Sequence, residues 1–293
     1  MDGAIKDVGR AVGGSLLFAS PLLMTMEIWE IAPSMPGTRV VVLLFAACVL
    51  LVTLAQLSGF NDLEGQGLAD HVVDAGVAIA VGTVVSVVLL AAFGVLDTDL
   101  GIAAVARRVA LGAAPASLGA VFARSQLTSA GGGGGGGGGG ETLDADGDAN
   151  GASGGDAGGG EIAGGEIDDY FQELVVMAAG AVIFAFGLAP TDEIPLIALQ
   201  TGPIGVIVVL GVSVVALHLL VYAVGFAGSH GNDHRTEFAR FTLTGYALVV
   251  AICAFLLWVF GRADGVVLQS FAQQVVILAF PASLGAAVGR LVL

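Results

Sequence analysis

The chain has 293 residues, of which 56% are hydrophobic and 12% charged, and its mean hydropathy is +0.92. Soluble domains carry about a quarter charged residues, so this composition points to a membrane protein. Ten Lys and Arg against 25 Asp and Glu leave a net charge of -15; phosphate binding needs a basic stripe, so nucleic acid is excluded as a partner, and an acidic surface with Lys6 as the sole lysine points to a chain adapted to high salt.

A membrane-spanning helix needs about 20 apolar residues, and a charge at its centre costs at least ~2.5 to 3.5 kcal/mol. The first apolar run, 11 to 26, is closed by Glu27. Runs 40 to 60 and 75 to 96 contain no Lys, Arg, Asp or Glu. The segment Asp70-His71-Val72-Val73-Asp74 opens the third of these helices. A weaker run, 109 to 123, follows Arg107 and Arg108. Residues 125 to 169 hold ten consecutive glycines, Gly131 to Gly140, and then an acidic stretch that cannot bury enough apolar surface to order itself, so a disordered linker is expected. Four further charge-free runs follow at 174 to 191, 204 to 229, 241 to 261 and 265 to 289, and Asp233-His234-Arg235-Thr236-Glu237 repeats the D-H-x-x-[DE] form ahead of the third.

An internal repeat organises these runs. Pro-Ala-Ser-Leu-Gly-Ala occurs at Pro115 to Ala120 and again, 166 residues on, at Pro281 to Ala286. At the same offset Gly14, Phe18, Leu22, Thr25 and Glu27 match Gly180, Phe184, Leu188, Thr191 and Glu193, and Arg124 falls on Arg290. Apolar composition alone gives scattered Val and Leu matches, not Glu, Thr, Pro and Arg held at one offset. The expected fold is therefore an all-α bundle of eight transmembrane helices, built as two four-helix repeats: a first membrane unit over 1–124, the linker over 125–169 and a second unit over 170–293. An even helix count per copy makes the copies parallel, related by an axis along the membrane normal. The side with both termini and the linker carries six Lys and Arg against four on the other, which places both termini in the cytoplasm of a multi-pass cell-membrane protein. The first run belongs to the repeat and lacks a cleavage site, so no cleavable signal peptide is expected.

Most chemical motifs dissolve in context. Gly151-Ala152-Ser153-Gly154-Gly155 fits a nucleophile elbow but lies in the linker, and the glycine run meets the dinucleotide pattern without strand or helix around it. Asp146-x-Asp148-x-Asn150-Gly151 starts a calcium loop, yet Ala157 stands where the bidentate Glu is required. The D-H-x-x-[DE] segments could ligate zinc, but acidic residues at helix N-termini are favoured by capping and the dipole without any metal. Cys48 and Cys253 lie in apolar runs and read as small hydrophobes. No catalytic residue, metal or cofactor is expected, and an enzyme is not indicated.

The sharper candidates are Glu27 and Glu193, equivalent under the repeat, with Asp192 beside the second. Ionisable groups retained at membrane depth line ion or proton paths, so a small ion or proton is the candidate partner besides the lipid bilayer. The competing reading puts both glutamates at headgroup level, with Trp29 as an interfacial anchor. Arg107 and Arg108 occupy the positions of Gln273 and Gln274; such pairs either line a pathway, or the arginines snorkel and the glutamines bond a neighbouring helix. Pro115 and Pro281 with their small neighbours read as a kink and a packing face, and His218 as a bundle hydrogen bond.

The segments Gln172 to Gly180, Ala189-Pro190-Thr191-Asp192-Glu193-Ile194 and Met26-Glu27-Ile28-Trp29 resemble an uncharacterised family of integral membrane proteins common in halophilic archaea. The resemblance covers both repeats and implies no activity and no site residues. Two function classes follow: a transporter or ion-conducting protein with its site between the repeats, or a non-transporting scaffold or sensor component. A wet polar path between the repeats favours the first and a dry interface the second.

Overall fold

The computed structural model describes residues 2–57, 68–96, 101–132, 161–223 and 242–292. Among them are nine α-helices: α1 (Asp2–Leu23), α2 (Met26–Ile31), α3 (Gly37–Leu57), α4 (Leu68–Ala92), α5 (Ile102–Gly132), α6 (Glu161–Leu188), α7 (Glu193–Ala223), α8 (Thr244–Val259) and α9 (Leu268–Val292). Six of these are long and apolar enough to cross a membrane, and α1 with α2 makes a seventh if that pair, bent by 80°, is one span. The apolar helix α8 is shorter, at 16 residues. The expected linker is overlapped at both edges by α5 and α6; its centre, 133 to 160, lies outside the described residues, as do Asp233 to Glu237 and His230.

The bend after α1 has a local cause. Met24 and Thr25 leave the helix, and the Thr25 hydroxyl turns back to donate to the Leu22 carbonyl at 2.6 Å, offering the chain an alternative to the helical ladder. Thr191, 166 residues later, does the same to Leu188 O at 2.9 Å. After the short α2 comes a 3₁₀ turn, Ala32–Ser34, and α3 then starts at Gly37. The corresponding stretch of the second half is interrupted too: within α7 the helical path breaks at Gly202, where φ is 63° and ψ 171°. Only glycine takes that backbone without strain, and Pro203 behind it restarts the helix. The apolar run expected from 204 thus begins where the helix restarts behind that break.

Packing is closest where the sequence repeats Pro-Ala-Ser-Leu-Gly-Ala. A Cβ at Gly14 of α1 would overlap the Gly119 carbonyl of α5, and one at Gly180 of α6 would overlap the Gly285 carbonyl of α9. Phe18 caps the first contact and Phe184 the second. The small residues around them are fully enclosed: Ala116, Ser117 and Ala120 in α5, Ala282, Ser283 and Ala286 in α9. With no hydrophobic drive between helices in lipid, such backbone proximity and its dispersion contacts supply the association. The packing face around Pro115 and Pro281 is therefore as expected, and both helices run on through their prolines.

Candidate functional site

The break after α1, the start of α3, the end of α4 and the turns joining α6 to α7 and α8 to α9 lie at one end of the bundle, where Arg107, Arg108, Arg262 and Arg39 bind. Arg108, only 8% exposed, donates from Nε to the Trp29 carbonyl at 2.8 Å and from NH1 to the Val95 carbonyl, with its guanidinium 5.8 Å from the Trp29 ring centroid. Arg107 donates to the Pro33 carbonyl at 2.8 Å. These two arginines satisfy carbonyls that the break at α2 and the end of α4 leave without helical partners.

The second half places its cation differently. Gln274 stands where the 166-residue offset places Arg108, is 5% exposed, and its Oε1 finds no hydrogen-bond partner among the described residues. Arg262, in the turn after α8, instead donates to the Pro190 carbonyl and, at 2.7 Å, to Asp192 Oδ1. The two turns are otherwise alike. Gly94 and Gly261 end their helices at positive φ, and Val95 and Arg262 each donate a backbone N–H five residues back, to Leu90 O and Leu257 O.

Arg39, at the start of α3, reaches across to the second half. Its NH2 lies 2.6 Å from Asp264 Oδ1, and its guanidinium 5.4 Å from the Trp258 ring centroid. Asp264 sits outside the helices, and the Arg39 hydrogen bond holds its carboxyl below the usual carboxylate range. At the opposite end of the molecule Arg290 of α9 donates to Glu173 Oε1 of α6 at 2.9 Å.

Glu27 is half-buried in the first turn of α2, and Glu193 is exposed in the first turn of α7, each beside a helix N-terminus that favours negative charge. No hydrogen bond or ion pair joins either to another described residue, whereas Asp192 is bound to Arg262. His218 bonds Thr242 through Nδ1 at 2.9 Å. Among the described residues no group of three or more His, Cys, Asp or Glu could hold a metal ion.

Between the halves lies a cavity of about 190 Å³, lined by α3 and α5 from one side and α6 and α8 from the other. Leu43, Leu50, Leu118, Val182, Phe186 and Phe255 represent its wall, in which every lining side chain is aliphatic or phenyl. Sequence reasoning located the four arginines Arg39, Arg107, Arg108 and Arg262 on one side of the membrane but not their partners, because a partner carbonyl or a turn aspartate leaves no periodic trace. It also missed Asp264 and Trp258. No curated protein and no solved structure matches the chain. A family model described as "Putative integral membrane protein (DUF2391)" matches residues 7–293, nearly the whole chain and both halves of the bundle. With its apolar helices, buried small-residue contacts and polar turns, the chain belongs to that family of integral membrane proteins.

Proposed function

We propose that the protein is a non-transporting membrane scaffold, made of eight spans in two parallel four-helix units with both termini on the cytoplasmic side. The observation that carries this reading is the apolar wall of the cavity between the halves. Moving an unpaired ion through surroundings of low dielectric costs on the order of 20 kcal/mol before any compensation, and this wall offers no hydroxyl, amide or carboxylate to compensate it. Arg107 and the buried Arg108 support the same reading, since they are spent on holding turn carbonyls at one end rather than spaced along a passage. The two-unit reading is supported by the paired contacts at one offset: Gly14 with Gly119 and Gly180 with Gly285, Thr25 with Leu22 and Thr191 with Leu188. On this view α1 with α2, and the short α8, complete the count of eight.

The test is flux through proteoliposomes containing the full chain, read with internal pH-sensitive and cation-sensitive dyes under an imposed gradient. The expected result is leakage equal to that of protein-free liposomes. Saturable proton or cation flux that disappears in Glu27→Gln or Glu193→Gln would overturn the scaffold and restore the ion path through Glu27, Glu193 and Asp192.

A further inference from the structure

The two halves do not meet through a closed twofold. Helix α3 of the first half packs on α6 and α8 of the second, whereas among the described residues α7, which the 166-residue offset pairs with α3, makes no comparable contact with α1 or α4. Correspondingly 28% of the apolar stretch of α3 is buried, against 11% of that of α7. The surface that α6 uses is filled: Val175 and Ala179 share a buried cluster with Leu51 and Leu54 of α3. Its counterpart on α1 is open, for Gly9 and Gly13 stand at those positions and a Cβ at either would meet nothing within 4 Å. Two more pairs continue the pattern. Ala46 and Val182 face each other across the cavity, and their counterparts Val212 and Leu16 are exposed.

An interface that uses two different surfaces, each present again on the other copy, leaves one surface of each kind unused at the two ends and propagates into rings or chains of subunits. Resting on the two-unit reading above, we infer that a second copy of this chain seats its α1 face, around Gly9, Gly13 and Leu16, against the exposed α7 face, around Val212 and Leu220, of the first. The glycine notch on α1 suits this, because helices in lipid associate through close packing at small residues. The contact between chains is the weaker of the two. Gly205 stands on α7 where Arg39 stands on α3, so the cross-unit pairing with Asp264 and Trp258 has no counterpart there.

The experiment uses full-length chains with Cys48→Ala and Cys253→Ala, reconstituted in lipid vesicles and oxidised with copper phenanthroline. One differently tagged chain carries Leu16→Cys and the other Val212→Cys; the expected result is a disulfide-linked dimer of both tags in the mixture that neither chain gives alone. A chain with Leu22→Cys and Gly187→Cys serves as control, since a Cβ at Gly187 lies against Leu22 and an internal disulfide reports that α1 and α6 pack as described. If the internal bond closes and the mixture gives no dimer, the head-to-tail contact is overturned while the two-unit packing stands. If either single chain dimerises as strongly as the mixture, the contact is twofold and the inference fails. If the internal bond does not close, the packing of the units fails and the inference with it.

Discussion

The two turns that follow α4 and α8 solve one problem with cations from different places. Each ends a helix at a glycine, Gly94 or Gly261, and beside each a guanidinium meets backbone carbonyls of a neighbouring break. In the first half the charge comes from inside the next helix, as Arg108 of α5, and is nearly enclosed. In the second it comes from the turn itself, as Arg262, and its carboxylate partner Asp192 is 79% exposed. The lesson is that the unmet carbonyl is the constant and the donor is free to move. A buried acceptor without a partner costs about 1 to 3 kcal/mol, while the position of the residue that meets it carries no cost of its own.

The interhelical contacts beneath those turns are alike in both halves, so the largest effect is expected to be shared. Gly14→Leu and Gly180→Leu each drive a side chain into a facing backbone carbonyl that cannot give way, so the helices must separate. Each should lose stability at or above the upper end of the roughly 1–3 kcal/mol of ordinary overpacking, read as a fall in thermal unfolding midpoint in detergent. Tolerance at one glycine but not the other would break the equivalence.

The rim should divide the halves. Arg108→Gln copies the residue of the second half into the first and abandons both the Trp29 and Val95 carbonyls, with an expected cost of about 2 kcal/mol or more. Arg262→Gln should cost less, about 1 kcal/mol, because Asp192 can turn to solvent. Equal losses in the same unfolding assay would show that enclosure does not distinguish the two cations.

The smallest effect concerns Asp264, whose depressed carboxyl belongs to an exposed ion pair. A carboxyl with a lowered folded-state pKa adds stability above its unfolded value, near ~3.9, and that addition fades as pH falls through the lower folded value. Asp264→Asn should therefore unfold slightly earlier than the parent at pH 5 to 7, with the gap closing as the buffer is taken below about pH 3.9. A gap that widens in acid would contradict the Arg39 pairing.

Much of the helical framework was legible because it is written in residue type. Charge-free runs mark helices in lipid, and a fixed offset carried Gly14, Thr25 and Pro115 onto Gly180, Thr191 and Pro281; the glycines and threonines make the same local contact as their counterparts, and the prolines lie inside α5 and α9. The pair Arg107 and Arg108 was legible as exceptional but not in its role. A guanidinium inside an apolar helix has several ways to be satisfied, and the choice depends on which carbonyl the fold brings within 3 Å. The restart of α7 at Pro203 falls beside the expected start of its run at 204, while the φ of 63° that breaks the helix at Gly202 is nothing hydropathy registers.

The sequence by itself determined that this protein lives in a bilayer, since an apolar residue is apolar whatever it touches and 56% of the chain is of that kind. It also pointed to a packing face of small residues around Pro115 and Pro281, but which glycines meet a facing backbone was decided by the packing. Tertiary structure alone decided that Asp192 joins Arg262 and that Arg39 crosses to Asp264. It alone decided that aliphatic and phenyl groups line the space between the halves. Those outcomes depend on distances between residues up to 225 positions apart, which no local pattern encodes and only the packing of helices fixes.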